Sequence, residues 1–178
     1  VRYIEHLQKY EVDYGEVNLS GAGEGSVEIM TIHKSKGLEF PIVILAGMGK
    51  QFNMQDLNAR LLIHPDYGLG ADAILPDRRM IVSTLYKQVI RRKLLEETLG
   101  EEIRVLYVAL TRAKEKLIMT GTIGNLEKRL LSLYRFRENE QELLPAETRL
   151  NGKTYWDYVL PALARHRCMD ELFEEFGL

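Results

Sequence analysis

Glu101-Glu-Ile-Arg-Val-Leu-Tyr-Val-Ala-Leu-Thr-Arg-Ala-Lys-Glu-Lys-Leu117 passes without a break from a helical pattern into the apolar run Leu117-Ile118-Met119, which Gly121 closes. Ile103, Leu106, Tyr107 and Leu110 recur at helical spacing and predict one buried face. Glu101 and Glu102 suit the positive N-terminal end of a helix, so Gly100 is expected to separate this helix from one over Met80 to Leu99. Upstream, Ile42-Val-Ile-Leu45 is the continuous apolar run of a strand buried on both faces, and Val27 to His33 alternates like another strand. Strands separated by helices predict an α/β domain with a mainly parallel sheet.

Working outward, Val1, Ile4 and Leu7 predict a short helix, and residues 20–26, Ser-Gly-Ala-Gly-Glu-Gly-Ser, read as a flexible connector. Residues 51–79 read as irregular, with turns at Pro65-Asp66 and Pro76-Asp77 and room for a small hairpin. Residues 126–178 read as a helical C-terminal extension broken at Pro145 and Pro161. Its stripe of Leu172, Phe173 and Phe176 is expected to pack on the α/β domain or on a domain outside these residues. The expected division is thus 1–25, 26–125 and 126–178, and the start inside a helical pattern is what a piece of a longer polypeptide would show.

The 178 residues suit about one domain, and 46% hydrophobic content supports a real core. The net charge of −2 confines any nucleic-acid site to a local patch. One cysteine, Cys168, excludes an internal disulfide and a Cys-cluster zinc site, and a cytoplasmic location is the plain expectation. His33 and His64 stand too far apart in the sequence to suggest a metal site. The six basic residues between Arg78 and Lys93 read as a solvated helix face.

Two segments carry candidate chemistry. Met30-Thr-Ile-His-Lys-Ser-Lys-Gly-Leu-Glu-Phe40 gathers a hydroxyl, an imidazole, ammonium groups, a glycine and a carboxylate beside a strand end, where ligands of open α/β sheets bind. Residues alone leave open whether this loop meets phosphates or is simply solvated. Arg112 follows the helix and could offer its planar fork to a phosphate in a cleft, or could merely favour the helix's negative end.

Taken together, the segments resemble motifs V and VI of the UvrD-like superfamily 1 DNA helicases. The first pattern is Thr-x-His-x-Ser/Ala-Lys-Gly-Leu-Glu-aromatic, met from Thr31 to Phe40. The second is Glu-Glu-x-Arg-x-x-Tyr-Val-Ala/Gly-x-Thr-Arg-Ala, met from Glu101 to Ala113. The resemblance implies a RecA-like (P-loop NTPase type) second motor domain, with ATP held between it and a first motor domain that supplies the phosphate loop and the Mg2+ ligands. It implies that Gly37 and Glu39 lie at the nucleotide, that Thr31, His33 and Lys36 face single-stranded DNA, and that Arg112 reaches the γ-phosphate. An arginine finger of that kind can be worth ~10³–10⁵ in rate.

Within that family, Gly47-Met-Gly-Lys-Gln-Phe-Asn53 and Tyr155-Trp-Asp-Tyr-Val-Leu-Pro-Ala-Leu-Ala-Arg-His166 resemble the AddA-type helicase–nucleases. Those process double-stranded DNA ends for recombinational repair, each paired with an AddB-type partner. The sequence holds no Gly-x-x-x-x-Gly-Lys-Ser/Thr, and Gly47-Met-Gly-Lys50 lacks that spacing. The 178 residues are therefore expected to be silent as an ATPase, with the nuclease lying outside them. A DNA-binding scaffold with a degenerate motor fold is the rival reading; the presence of Lys36, Glu39 and Arg112 counts against it.

Overall fold

Leu45, Met48, Leu106 and Ala109 meet around Tyr158, and this cluster is the centre on which the α/β part is assembled. The structure, a computed structural model, describes residues 26–139, 141 and 143–178. Two units are distinguished, Val1–Thr31 and Ile32–Leu178. Of the first, Ser26–Thr31 are described and form no regular element; the helix expected over Val1 to Tyr10 and most of the glycine-rich connector lie outside the described residues.

In the second unit, β1 (Phe40–Leu45) pairs in parallel with β5 (Ala113–Met119), with Val43 opposite Leu117 and Leu45 opposite Met119. Leu45, Leu117 and Met119 turn toward Leu106 and Ala109 of the long helix α1 (Leu85–Leu110). Ile42 and Ile44 turn the other way and are 57% and 63% exposed, so β1 is buried on one face, not on both as its apolar run suggested. The fold is α/β with a parallel sheet, as expected.

The strand expected over Val27 to His33 does not form. Ile32–Gly37 coil into successive turns, because the amide and the hydroxyl of Ser35 both donate to the carbonyl of Ile32, at 3.2 and 2.7 Å. A short hydroxyl side chain that satisfies the local backbone in this way competes with an extended ladder.

Residues 61–83, expected to be mostly irregular or helical, form a three-stranded antiparallel meander of β2 (Leu61–His64), β3 (Gly68–Leu75) and β4 (Met80–Ser83). β2 pairs with the first half of β3 and β4 with its second half. One face lies on α1: a Cβ on Gly70 would come within 2.8 Å of the Lys87 backbone. Lys87, buried, holds Asp72 at 2.8 Å. The opposite face carries Leu61, Ile63, Leu69, Leu75, Met80 and Val82, with Ala71 and Ala73 between them.

Thr84 caps α1 by accepting from the Lys87 amide, and its own hydroxyl donates to Ala71 at 2.7 Å. The helix then runs 26 residues straight through Gly100. A glycine costs about 1 kcal/mol relative to alanine inside a helix, which burial of Ile90, Leu99 and Leu106 on either side outweighs. Glu101 and Glu102 consequently sit mid-helix, with no free helix end beside them. The buried face also differs from the expected one: Leu106 and Ala109 are buried, whereas Ile103 and Tyr107 are exposed, Tyr107 by 68%.

After β5 come α2 (Leu126–Tyr134), α3 (Ala146–Asn151), α4 (Trp156–Leu163) and α5 (Asp170–Glu175). Leu130, Leu133, Leu160, Ala164, Met169 and Phe173 form their own core. Phe173 is wholly buried there, so its stripe packs among these helices themselves, correcting the expectation that it reached toward another domain. Helix α4 belongs to both cores, Tyr158 to the first and Leu160 to the second. Among the described residues no helix is long and apolar enough to cross a membrane.

Candidate nucleotide and nucleic-acid site

The turns of Ile32–Gly37 end at Gly37, whose φ of +84° lets the chain reverse into β1 where a side chain would be strained. They leave His33, Lys34 and Lys36 at the surface while Ser35 is buried beneath them. Because no strand precedes this loop, it stands at the N-terminal end of β1. Arg112 stands at the N-terminal end of β5, and the parallel pairing brings the two to one edge.

Arg112 joins the loop there through backbone and side chain alike. Its carbonyl accepts from the Phe40 amide at 2.9 Å, and its Nη1 donates to the Leu38 carbonyl at 2.9 Å. Nε donates to Val108 and Nη2 to the Thr111 hydroxyl, each at 2.9 Å. The half-buried guanidinium is thus held in a fixed plane by three acceptors of its own chain. Glu39 meets Lys114 at 3.3 Å across the same edge, an exposed pair worth at most about 1 kcal/mol. Lys36, Gly37, Glu39 and Arg112 therefore share one edge. Thr31 lies in the other unit and is described apart from them.

His33 faces a different neighbourhood, an open cavity of about 410 Å³ lined by Ile32, Glu101, Glu102, Val105 and Tyr155. Tyr155 donates to Glu102 Oε2 at 2.7 Å, and its hydroxyl is pushed well above its ordinary value, first by burial and then by the Glu102 carboxylate. Sequence reasoning assigned no role to Tyr155 or Lys114; the resemblance of Tyr155–His166 to one helicase branch was the one signal pointing there.

The glycines of Gly47-Met-Gly49 serve packing. Met48 donates to Thr120 at 3.0 Å and accepts from Trp156, and a Cβ on Gly121 would come within 2.9 Å of the Gly49 amide. These contacts sew the exits of β1 and β5 to α4. Of the six basic residues, Lys87 is buried on Asp72, Arg91 donates to Leu57 and Asn58, Arg92 pairs with Glu96, and Lys93 with Glu97.

A family model described as the UvrD-like helicase C-terminal domain matches residues 7–123, a span that takes in both motif segments. This chain belongs to that family.

Among curated relatives, the AddA component of the ATP-dependent helicase/nuclease of Oceanobacillus iheyensis is 49% identical over 166 residues, covering 93% of this chain and 13% of the relative. The proteins of the same name from Bacillus cytotoxicus and Clostridium kluyveri are 47% and 45% identical over 174 and 168 residues. They cover 98% and 94% of this chain and 14% of each relative. The chain thus spans about one seventh of the curated relatives it matches. The UvrD-like assignment places Thr31–Phe40 and Glu101–Ala113 within a helicase domain, and the AddA-type branch is the one these relatives represent.

Proposed function

We propose that these residues are the RecA-like second motor domain of an AddA-type helicase–nuclease, coupling ATP hydrolysis to movement along single-stranded DNA and unwinding of duplex ends. In this reading the intact cytoplasmic protein works with an AddB-type partner in double-strand-break repair, and its nuclease lies outside these residues. The observation that carries it is the joining of Arg112 to the motif V loop through Leu38 and Phe40. A group at the nucleotide and a loop facing DNA then move as one body, which a motor needs if closure on one ligand is to displace the other.

The donor set suits half of a nucleotide site. Arg112 supplies a planar cation, Lys36 a point charge, Glu39 an acceptor, and Gly37 room for close approach. ATP with Mg2+ would bring the phosphoryl group to be transferred, the metal held by residues of the first motor domain. Arg112 orients by its rigid fork, and His33, Lys36 and Thr31 bind the DNA strand. With no phosphate loop in the sequence, the 178 residues turn over no ATP alone.

The deciding measurement is DNA-stimulated ATP turnover by the full-length protein, wild type against Arg112→Lys. Lysine keeps the charge and loses the fork, so turnover falls on the order of a thousandfold while DNA binding persists. Unchanged turnover removes Arg112 from the chemistry and leaves it a strut between the two motifs. Absence of turnover in the wild type favours a scaffold.

A further inference from the structure

The meander is apolar on the face that α1 does not cover. Leu61, Ile63, Leu69, Leu75, Met80 and Val82 all point there, and each is between 41% and 68% exposed. A sheet whose inner face is packed ordinarily turns polar residues outward, so a two-sided apolar meander marks a covered surface.

Its shape says what covers it. Because β2 flanks only the first half of β3 and β4 only the second, the band is two strands wide along its whole length. That makes it about 10 Å across and, over the eight residues of β3, roughly 26 Å long. One α-helix is about 10 Å in diameter and rises about 1.5 Å per residue, so a single helix of about 17 residues laid along β3 fills the band.

The area then selects the source of that helix. The band offers on the order of 300 Å² against the ~800 Å² per partner of a stable free-standing complex. Neither a second copy nor an untethered protein is held by so small a contact. A helix on the same polypeptide is, because its linker supplies an effective concentration of order millimolar. Relatives carry about six-sevenths of their length outside the region this chain matches.

We infer that the outer face of β2–β3–β4 is an intramolecular docking site for one amphipathic helix lying outside residues 1–178 of the longer polypeptide. This rests on the proposed reading that the intact protein is a longer helicase. The helix presents leucine- or isoleucine-type side chains at i, i+3, i+4 and i+7 along β3. Arg78 and Arg79, at the far end of the band, suit acidic residues or the carbonyl end of that helix.

Met80 reports on the face directly. Full-length protein is treated with dilute hydrogen peroxide, and Met80 oxidation is followed by mass spectrometry against the urea-unfolded sample, with buried Met48 as the internal standard. The docking site predicts Met80 oxidation at least tenfold slower than unfolded, unchanged on dilution and without any partner protein. Ile63→Lys with Leu69→Lys should restore it to within about twofold of the unfolded rate while Met48 stays protected. Fast Met80 oxidation in the wild type overturns the inference. So does protection that disappears on dilution, which indicates a second copy, or protection that needs the partner protein. DNA-stimulated ATPase measured on the same sample separates the two readings: turnover with an open Met80 sinks only the docking site, and a covered Met80 without turnover sinks only the motor.

Discussion

Tyr155 donates its phenolic proton to Glu102 at 2.7 Å, tying the start of the C-terminal helices to the middle of α1, inside the motif VI segment and beside His33. The contact spans 53 residues of sequence and gives the mid-helix carboxylate a partner that no helix end provides.

Tyr155→Phe removes that bond and leaves the ring in place against Phe52. The expected cost is about 1–2 kcal/mol, a fall in Tm of roughly 3–6 °C by calorimetry. The bond also sets an alkaline limit. Folding raises the Tyr155 value above the ordinary 10.0, so its stabilisation is present below pH 10 and is lost as pH climbs toward the raised value. The phenylalanine variant should therefore lose less stability than wild type above pH 10; equal losses would detach Tyr155 from the alkaline limb.

Asp157 gathers the Arg129 guanidinium at 2.6 Å, the amides of Lys153 and Thr154 at 2.8 Å, and the Thr154 hydroxyl at 3.0 Å. Burial works to raise its value, but these donors outweigh it and hold the carboxyl below the ordinary 3.8. Its stabilisation is present above that value and is lost as pH falls through the lowered one. Asp157→Asn should cost about 2–3 kcal/mol in urea unfolding at pH 7, and the gap to wild type should shrink below about pH 3. A gap independent of pH would show that shape, not charge, holds the turn.

Phe173→Asp places a charge in the core formed with Leu130, Leu133 and Leu160. A loss of about 4 kcal/mol or more is expected, read as early melting of the C-terminal helices by circular dichroism. Light scattering should show no gain in monodispersity, since the ring is not a surface contact; a stable and less associated variant would put Phe173 back on the surface.

The parallel strands and the helix between them were legible because Ile42–Leu45 and Leu117–Met119 are short apolar runs and Leu106 and Ala109 lie at helical spacing. The family was legible from two fixed-order motifs. The meander was hidden because its outer face is apolar: Leu61-Leu-Ile and Ala73-Ile-Leu75 show no polar alternation, and Met80-Ile-Val82 merged with the helix behind it. The turn at Ser35 was hidden because a side-chain hydroxyl decides it, and Gly100 misled because tertiary burial outweighs a glycine's cost. At the site, the shared edge of Glu39, Lys114 and Arg112 depends on strand pairing between residues about 70 apart, which no local pattern encodes.

Helix α1 has a consequence of its own. Its first half lies under the meander, its second half forms the floor of the parallel sheet, and Arg112 stands just past its end, so the whole rod measures about 39 Å. Such a rod is a lever arm. Gly100 lies near its middle, with nothing within 4 Å of where a Cβ would be. This is the point where the lever is least stiff, and a load on one end reaches the other through a single glycine.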